Sequence, residues 1–525
     1  MNQLSSMLKK YPWLGFSLLA FIVFVQFNWS YPINILDEAK NSEAAREMLE
    51  SGRWFYPTFN EIIRTDKPPL HYFFMVVGYL IFGVGPLGAR FFSAVFGALT
   101  FYLIVKQTAK ELGTKAAFYS GLTFVSSLLF VHEFHMAVPD PYLIFSVTWA
   151  IISFYRFEKE SSKAQLWMAY IAIGFGLLAK GPIAAVIVLL SAALYFTLTK
   201  QWSKFFTYKP FTGVLISLAI AAPWYYMAHI STEGVFTEGF FLDHNLNRFS
   251  DQKEGHGGPF IITPLLVIAG LLPFGVWLIS ALIKAFRLRE SSNWLTLCFS
   301  VSIGVLVFFS FSSTKLPNYP MPAFGFMTAV IGFYFSELVS NQNSKALKGG
   351  LWVLTILGIV LTIGAYLGLA THRSLFLYKN LAFFILILPL SSLIIALTLN
   401  SRSLHRSLVL IALSWMIFGS ILWGYLFGQI SIESPVSKVV PYINQSSIQT
   451  VVYQRMDPAF PIQLKRTFKT FHRREALLSD DSFDYILTNT KRKEDIEWLE
   501  THFENVIEAP ALFEDHVTRL YQPIK

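Results

Sequence analysis

An all-α polytopic membrane domain followed by a small α/β domain is the fold class this sequence predicts, and three observations predict it. Of the 525 residues, 54% are apolar and only 14% charged, against about 25% charged in an average soluble domain. Apolar runs of bilayer-crossing length recur from residue 12 to residue 428. Past residue 430 the charge density rises and the apolar runs shorten. A soluble globule cannot hide this much apolar surface, whereas a bilayer solvates it. The formal charge of +9 is split into short clusters between the apolar runs. That pattern belongs to topology signals facing a lipid bilayer, so no nucleic acid is expected as a partner. The single cysteine, Cys298, lies inside an apolar run and reads as a small buried hydrophobe; no internal disulfide is possible.

The N-terminal run follows Lys9 and Lys10 and lacks a small-x-small cleavage site before Tyr31, so it is expected to be an uncleaved first span. Candidate spans lie near 12–30, 88–105, 116–133, 138–155, 165–180, 182–199, 210–229, 260–282, 293–311, 318–337, 349–370, 380–399 and 407–428, thirteen in all. The fifth and sixth meet at Lys180-Gly181-Pro182, a hairpin-like break. A further apolar run at 71–82 is too short to cross comfortably. Charge agrees. If that run does not cross, the inner loops hold Lys106, Lys110 and Lys115, then Arg156, Lys159 and Lys163, and so on to Arg402 and Arg406. Short cytoplasmic loops carry such an excess of lysine and arginine. The segment 71–82 is therefore expected to be a re-entrant or surface-lying helix on the outer side. The stretch 31–70, the loop 230–259, the turns at Asp140 and Lys315, and the tail then all lie outside.

In the tail, Thr450–Tyr453, 483–487 and 517–521 read as strands. Residues 494–503 read as a helix with Ile496, Leu499 and Phe503 on one side. No dense cluster of acids, histidines or cysteines lies there, so the tail reads as a cap or partner-binding module.

The chemistry-bearing residues gather in the outer segments. Asp37 and Glu38 open a predicted helix where the first span leaves the membrane. A helix start favours acids through its dipole, and near a low-dielectric boundary a carboxylate is also suited to act as a base or a cation ligand. In Arg64-Thr65-Asp66-Lys67-Pro68-Pro69-Leu70-His71 the prolines fix an extended turn. That turn holds Lys67 at the depth of lipid phosphates, where it acts on a headgroup or simply snorkels. His132, Glu133, His135 and Asp140 crowd one outer turn, where ionisable groups usually face a cavity. His132 and His135 share a helix face, a conceivable metal pair. The loop 230–259 carries Asp243, His244, Arg248 and His256; its two histidines fit no standard metal spacing but are able to converge with first-loop acids. Lys315, with Ser312, Ser313 and Thr314, offers a point charge and hydroxyls to a phosphate.

Several motifs occur in order: Asp37-Glu38-Ala39, Lys67-Pro68-Pro69-Leu70, Ala89-Arg90-Phe91, Asp140, Ala179-Lys180-Gly181-Pro182, 241–249 and 313–319. In combination they resemble the bacterial members of the dolichyl-phosphate-mannose–protein mannosyltransferase superfamily, and most of all the aminoarabinose transferases that modify lipid A. The resemblance implies a GT-C fold of about thirteen transmembrane helices in residues 1–430, with an outer catalytic loop at 31–87. It also implies a periplasmic soluble domain at 431–525, in a bacterial inner membrane with the active site facing the periplasm.

The implied reaction is inverting transfer from a polyprenyl-phosphate sugar to a lipid, glycan or protein acceptor. Asp37 is the implied essential acid. Glu38 beside it and, from the reading above, Asp140 complete the catalytic candidates. Lys67 is implied to hold the donor phosphate, with Arg64, Arg248 and Lys315 as further candidates. The resemblance also implies that Asp66, standing where glutamate is usual, shares a divalent metal (zinc, magnesium or manganese) with His244 or His256. No nucleotide is expected, because the activated bond lies in the lipid and no Rossmann-type glycine fingerprint occurs. The alternative from another class is a transporter or flippase of a lipid-linked saccharide. It would place polar residues near mid-membrane, and few are found there.

Overall fold

The computed structural model describes residues 12–246, 257–480, 482–512 and 515–524. Helix occupies each of the thirteen apolar runs. Among the described residues, seven helices are long and apolar enough to cross a membrane, or eight when one bent pair is counted as a span. Pro12–Val25, Leu70–Phe82 and Ile183–Thr199 are apolar but shorter. Large side chains such as Phe211, Leu215, Ile356, Val360 and Leu397 face outward, which suits helices whose solvent is hydrocarbon rather than water.

The second and third runs lie in one helical stretch, Pro86–Ser126, broken at Gly113, where φ is 87°. A side chain at that φ is strained, so glycine makes the reversal there. The chain continues as Leu128–His135 and then bends by 111° into Asp140–Glu160. Pro139 and Pro141 flank the bend and direct Asp140. Phe24, Phe124, Phe130 and Phe134 are fully buried together. They join the first helix to the Pro86–Ser126 and Leu128–His135 helices, with ring centroids 4.3–6.0 Å apart.

Between the first two apolar runs the chain builds a small polar layer. The helix Leu36–Ser51 buries most of its residues from Glu38 to Met48 and ends at Gly52 in the left-handed conformation. A two-stranded hairpin follows, β1 (Thr58–Phe59) with β2 (Ile62–Ile63). Glu47 holds its turn, accepting from the Thr58 hydroxyl at 2.5 Å and the Asn60 N–H at 2.6 Å. Leu70–Phe82 then starts directly after Pro69. With 13 residues it is about 20 Å long, short of the roughly 30 Å hydrocarbon layer. Tyr79 ties it to the Leu36–Ser51 helix by donating to the Ser42 carbonyl at 2.9 Å.

Against Pro86–Ser126 the short helix packs backbone to backbone: a Cβ on Gly78 would lie 2.0 Å from the Gly88 carbonyl oxygen. Gly78→Val is therefore expected to separate these helices and cost about 1–3 kcal/mol or more, read as a lower thermal midpoint of the detergent-solubilised protein.

The C-terminal part is a five-stranded sheet in the order β4-β3-β5-β7-β6: β3 (Thr450–Tyr453), β4 (Thr470–Phe471), β5 (Tyr485–Thr488), β6 (Phe503–Pro510) and β7 (Val517–Pro523). The first three in space are parallel and the rest antiparallel. The strand expected at 483–487 begins two residues later. The helix expected at 494–503 is Lys493–His502, with Leu499 fully buried. β4 and β6 were not anticipated. β4 is two residues long, and β6 is an edge strand whose Glu504 and Glu508 face solvent, so neither has a strong apolar alternation.

The sheet is not separate from the polar layer. One buried cluster contains Met48, Tyr72, Val436, Val439, Phe460 and Leu520. Asn60 at the hairpin tip also pairs with the Phe468 backbone through both its amide groups, at 2.8 and 2.6 Å.

Candidate active site

The Leu36–Ser51 helix, the Arg64–Lys67 turn and the bend before Asp140 place several charges at one end of the bundle. Asp37 lies in the first turn of its helix. It is accessible to water but crowded by protein. Burial pushes its carboxyl up; Lys67 and then Arg64 outweigh that, so its pKa falls below the ordinary 3.8. Asp66 is held by Arg64 in a two-pronged pair, Nε to Oδ1 at 2.5 Å and Nη2 to Oδ2 at 2.8 Å. Burial raises the Asp66 carboxyl, while Arg64, then Lys67 and His244, bring it well below the carboxylate range. Both acids are carboxylates at neutral pH, and Lys67 is buried beside them.

Two donors here are left over. Arg64 Nη1 and the Tyr72 hydroxyl are buried with no hydrogen-bond partner among the described residues. Tyr72 is within electrostatic range of Arg64, Asp66 and Asp37. The sequence reading missed Tyr72. Its one signal is position: it lies in the first turn of the helix that Pro69 starts. Burial of unpaired donors is costly unless a ligand or water meets them.

The loop carrying His244 packs on this turn, since a Cβ on Gly239 would lie 2.6 Å from the Thr65 hydroxyl oxygen. His244 and Asp66 are thus brought together. Arg248 and His256 lie outside the described residues. Among the described residues no group of three or more histidine, cysteine, aspartate or glutamate side chains has metal-binding geometry. The rings of His132 and His135 both stack on Trp423, at 4.7 and 5.7 Å, and His135 Nδ1 lies 2.9 Å from the Val131 carbonyl oxygen.

Asp140 and Lys180 form an ion pair at 2.6 Å, and Lys180 lies 5.5 Å from the centre of the Tyr319 ring. Glu133 is within electrostatic range of Asp140, Lys180 and Asp37, so this pair belongs to the same polar region as the first-loop acids. Lys315 is buried and donates to the Ser310 and Ser312 carbonyls at 2.9 and 2.8 Å. It thereby caps the helix Asn293–Phe311, and this accounts for two of the three ammonium protons expected for a phosphate.

Glu38 turns away from Asp37. It is fully buried, with Arg90 bound to both carboxylate oxygens at 2.7 and 2.8 Å and the Ala137 N–H at 3.0 Å. Arg90 also donates to the Asn28 and Tyr31 carbonyls, each at 3.0 Å. The pair fastens the Asp37 helix to three other segments. Arg90→Ala is expected to destabilise the protein by about 3–5 kcal/mol, because it strands a buried carboxylate. Glu38→Leu in the same chain should recover part of that loss, and thermal melts of the single and double variants check it.

Fold and site define a polytopic membrane protein with a cluster of acids and cations at one end of its helices. The same architecture occurs in ArnT from Cupriavidus metallidurans bound to undecaprenyl phosphate, at a TM-score of 0.80 and 18% identity, covering 96% of this chain and 97% of that one. The dolichyl-phosphate-mannose-protein mannosyltransferase family model matches residues 66–227. An undecaprenyl phosphate-alpha-4-amino-4-deoxy-L-arabinose arabinosyl transferase of Enterobacter sp. (strain 638) is 28% identical over 370 residues, 68% of this chain and 65% of that protein. Its counterpart in Pseudomonas aeruginosa (strain UCBPP-PA14) is 30% identical over 344 residues, 64% and 62% respectively. The matches thus span slightly less than two thirds of these two transferases. Over residues 66–227 the chain is similar to the dolichyl-phosphate-mannose-protein mannosyltransferase family, and over about two thirds of its length it resembles the bacterial aminoarabinose transferases.

Proposed function

We propose that this protein transfers a sugar from a polyprenyl-phosphate donor to a lipid, glycan or protein acceptor at the periplasmic face of a bacterial inner membrane, with inversion. The observation that carries the reading is the convergence of Asp37 with Lys67, Arg64 and the unpartnered Tyr72 hydroxyl. A carboxylate faces cations and donors there, at the end of apolar helices. The relatives named as undecaprenyl phosphate-dependent arabinosyl transferases support it.

In this reading thirteen helices within residues 1–430 cross the bilayer, the outer catalytic loop is 31–87, and 431–525 form a periplasmic domain. Pairings on each side support the topology. Asp140 meets Lys180 at 2.6 Å among segments assigned outside. Lys110 meets Glu160, and Lys159 meets Glu111, each at 2.6 Å, among segments assigned inside.

In the reaction an acceptor oxygen attacks the anomeric carbon from the face opposite the phosphate. The carbon–oxygen bond to phosphate breaks, and prenyl phosphate leaves with the bonding pair. Lys67 and the spare Arg64 N–H offset the charge that develops on it. Asp37 takes the proton of a hydroxyl acceptor, or orients an acceptor that is already an anion. Glu38 positions Asp37 through Arg90, and Asp140 with Lys180 shapes the neighbouring wall. Arg248 and Lys315 remain candidate phosphate contacts, Lys315 with its one remaining proton. The proposed divalent metal rests on Asp66 with His244 or His256: Arg64 donates one hydrogen bond to each Asp66 oxygen, which leaves each a lone pair for a cation, and no step runs through the metal.

Radiolabelled sugar on a synthetic polyprenyl phosphate, incubated with detergent-purified protein and envelope extract, is expected to appear on an acceptor. Label that only changes leaflet in proteoliposomes, without leaving its carrier, would establish a flippase instead.

A further inference from the structure

A second charged region lies at the far end of the helices. Asp140 and Glu160 are the two ends of one 21-residue helix, about 30 Å apart, which is roughly the thickness of the hydrocarbon layer. Beside Glu160 opens a cavity of about 540 Å³. Four helix ends enclose it: the start of Pro12–Val25, the end of Asp140–Glu160, the start of Lys163–Lys180, and the stretch 106–114 that turns at Gly113. The cavity therefore opens at the membrane surface opposite Asp37, and none of the reaction chemistry above uses it.

The lining is basic, and its charges are unequally used. Lys110 pairs with Glu160 at 2.6 Å, so those two cancel. Lys106 and Arg156 also line the cavity, and neither makes an ion pair among the described residues. Lys106 is exposed, its ammonium donating to the Tyr102 hydroxyl at 2.8 Å. Arg156 is half-buried and fixed in direction: its Nε donates to Gln107 Oε1 at 2.8 Å, and Gln107 is itself buried. Gln107 donates in turn to Glu111 at 3.2 Å. Glu111 is occupied from its other side by Lys159 at 2.6 Å and the Tyr155 hydroxyl at 2.9 Å. The Gln107 bond is the one side-chain hydrogen bond of Arg156 among the described residues, so both its Nη groups remain to donate. A fixed guanidinium suits the oxygens of a phosphate, and a lysine on its flexible stem adds a second charge.

The surroundings are those of a lipid headgroup. Trp13 lies on the cavity wall, and tryptophan is enriched at headgroup depth. Leu99 precedes Lys106 by seven residues, two turns on the same helix face, and is 41% exposed. Hydrocarbon therefore adjoins the cavity. Basic pockets between membrane helices on the cytoplasmic side take anionic lipid headgroups.

We propose that this cavity binds the phosphodiester headgroup of an anionic phospholipid of the cytoplasmic leaflet. Arg156 takes the phosphate oxygens through its Nη groups, Lys106 supplies the second charge, and the acyl chains run down past Leu99. A zwitterionic headgroup would bring its own ammonium to two cations that no carboxylate pairs, so a net negative headgroup is favoured. The bound lipid bridges four helix ends and stabilises the fold from the surface opposite Asp37. The site holds whether or not the protein is a transferase.

The test uses the full-length protein, stripped of lipid in detergent, with phosphatidylglycerol, phosphatidylcholine and inorganic phosphate as probes. Native mass spectrometry follows bound lipid, and thermal melts follow stability. Wild-type protein is expected to hold phosphatidylglycerol about 10-fold more tightly than phosphatidylcholine. Phosphatidylglycerol should also raise the thermal midpoint, as a ligand of the folded state does. Lys106→Gln/Arg156→Gln should weaken phosphatidylglycerol binding about 10-fold and abolish that rise. Lys106→Gln alone, at an exposed position, should weaken binding without lowering the lipid-free midpoint. Lys348→Gln/Arg402→Gln removes the same charge from exposed positions outside the cavity and should bind like wild type. Wild-type protein that does not distinguish the two lipids, or cavity variants that bind like wild type, would overturn the proposal. So would a Lys348→Gln/Arg402→Gln protein that loses as much as the cavity variant, since the effect would then be surface charge alone. Inorganic phosphate that displaces phosphatidylglycerol at millimolar concentration would make this a site for a soluble anion and overturn the lipid assignment.

Discussion

Asp37→Asn is expected to lower maximal turnover by about 10²–10⁴-fold, the range for removing a positioned general base, with donor affinity changed little. The substitution keeps the shape and removes the charge. The helix start and the Glu38–Arg90 pair remain, so folding should be preserved and the loss read as chemistry. The pH profile supplies a second signature. Cations hold the folded-state pKa of Asp37 below the ordinary 3.8, against the effect of burial. A depressed carboxylate stays ionised above its ordinary pKa and is lost only as pH falls through the lowered value. The acidic limb of kcat/KM should therefore lie below about pH 4, to the extent that the fold survives there. Wild-type turnover in the Asp37→Asn protein, with its fold intact, would remove the residue from the mechanism.

Lys67→Ala is expected to reduce turnover by about 10²–10³-fold, the effect of removing one donor from a developing anion, and to weaken donor binding as well. It should also move the acidic limb of the rate profile upward, because Lys67 is the cation that lowers the Asp37 carboxyl most. A merely structural lysine would not shift that limb. Lys67→Arg should keep the limb low while recovering only part of the rate, since a planar guanidinium does not reproduce a compact ammonium. Stopped assays across pH with the three proteins check all of this; an unchanged limb in Lys67→Ala separates the two residues.

Much of the site was legible because it depends on local chemistry. Asp37 is set by a helix start, and Lys67 by the proline pair beside it. Glu38 shows the limit. It is next to Asp37 in the chain and of the same chemical type, yet one residue along a helix turns the side chain by about 100°. That rotation takes it into contact with Arg90, which is distant in sequence. Lys315 carried the right charge for a phosphate, but the carbonyls of its own turn take two of its protons. Tyr72 looked like one aromatic among many until Arg64, Asp66 and Asp37 came around it.

By itself the sequence determined the membrane character, the places of the helical runs, and the strands β3, β5 and β7. These depend on composition, period and neighbouring residues, which the chain carries locally. Only the tertiary structure decided which acid faces the charged cluster and which is locked to Arg90, that Asp140 meets Lys180, and that four helix ends at the opposite surface enclose a basic cavity. Those are contacts between segments far apart in the chain. Their energies depend on distance, burial and the unmet hydrogen bonds of particular atoms, which become defined only when the segments pack.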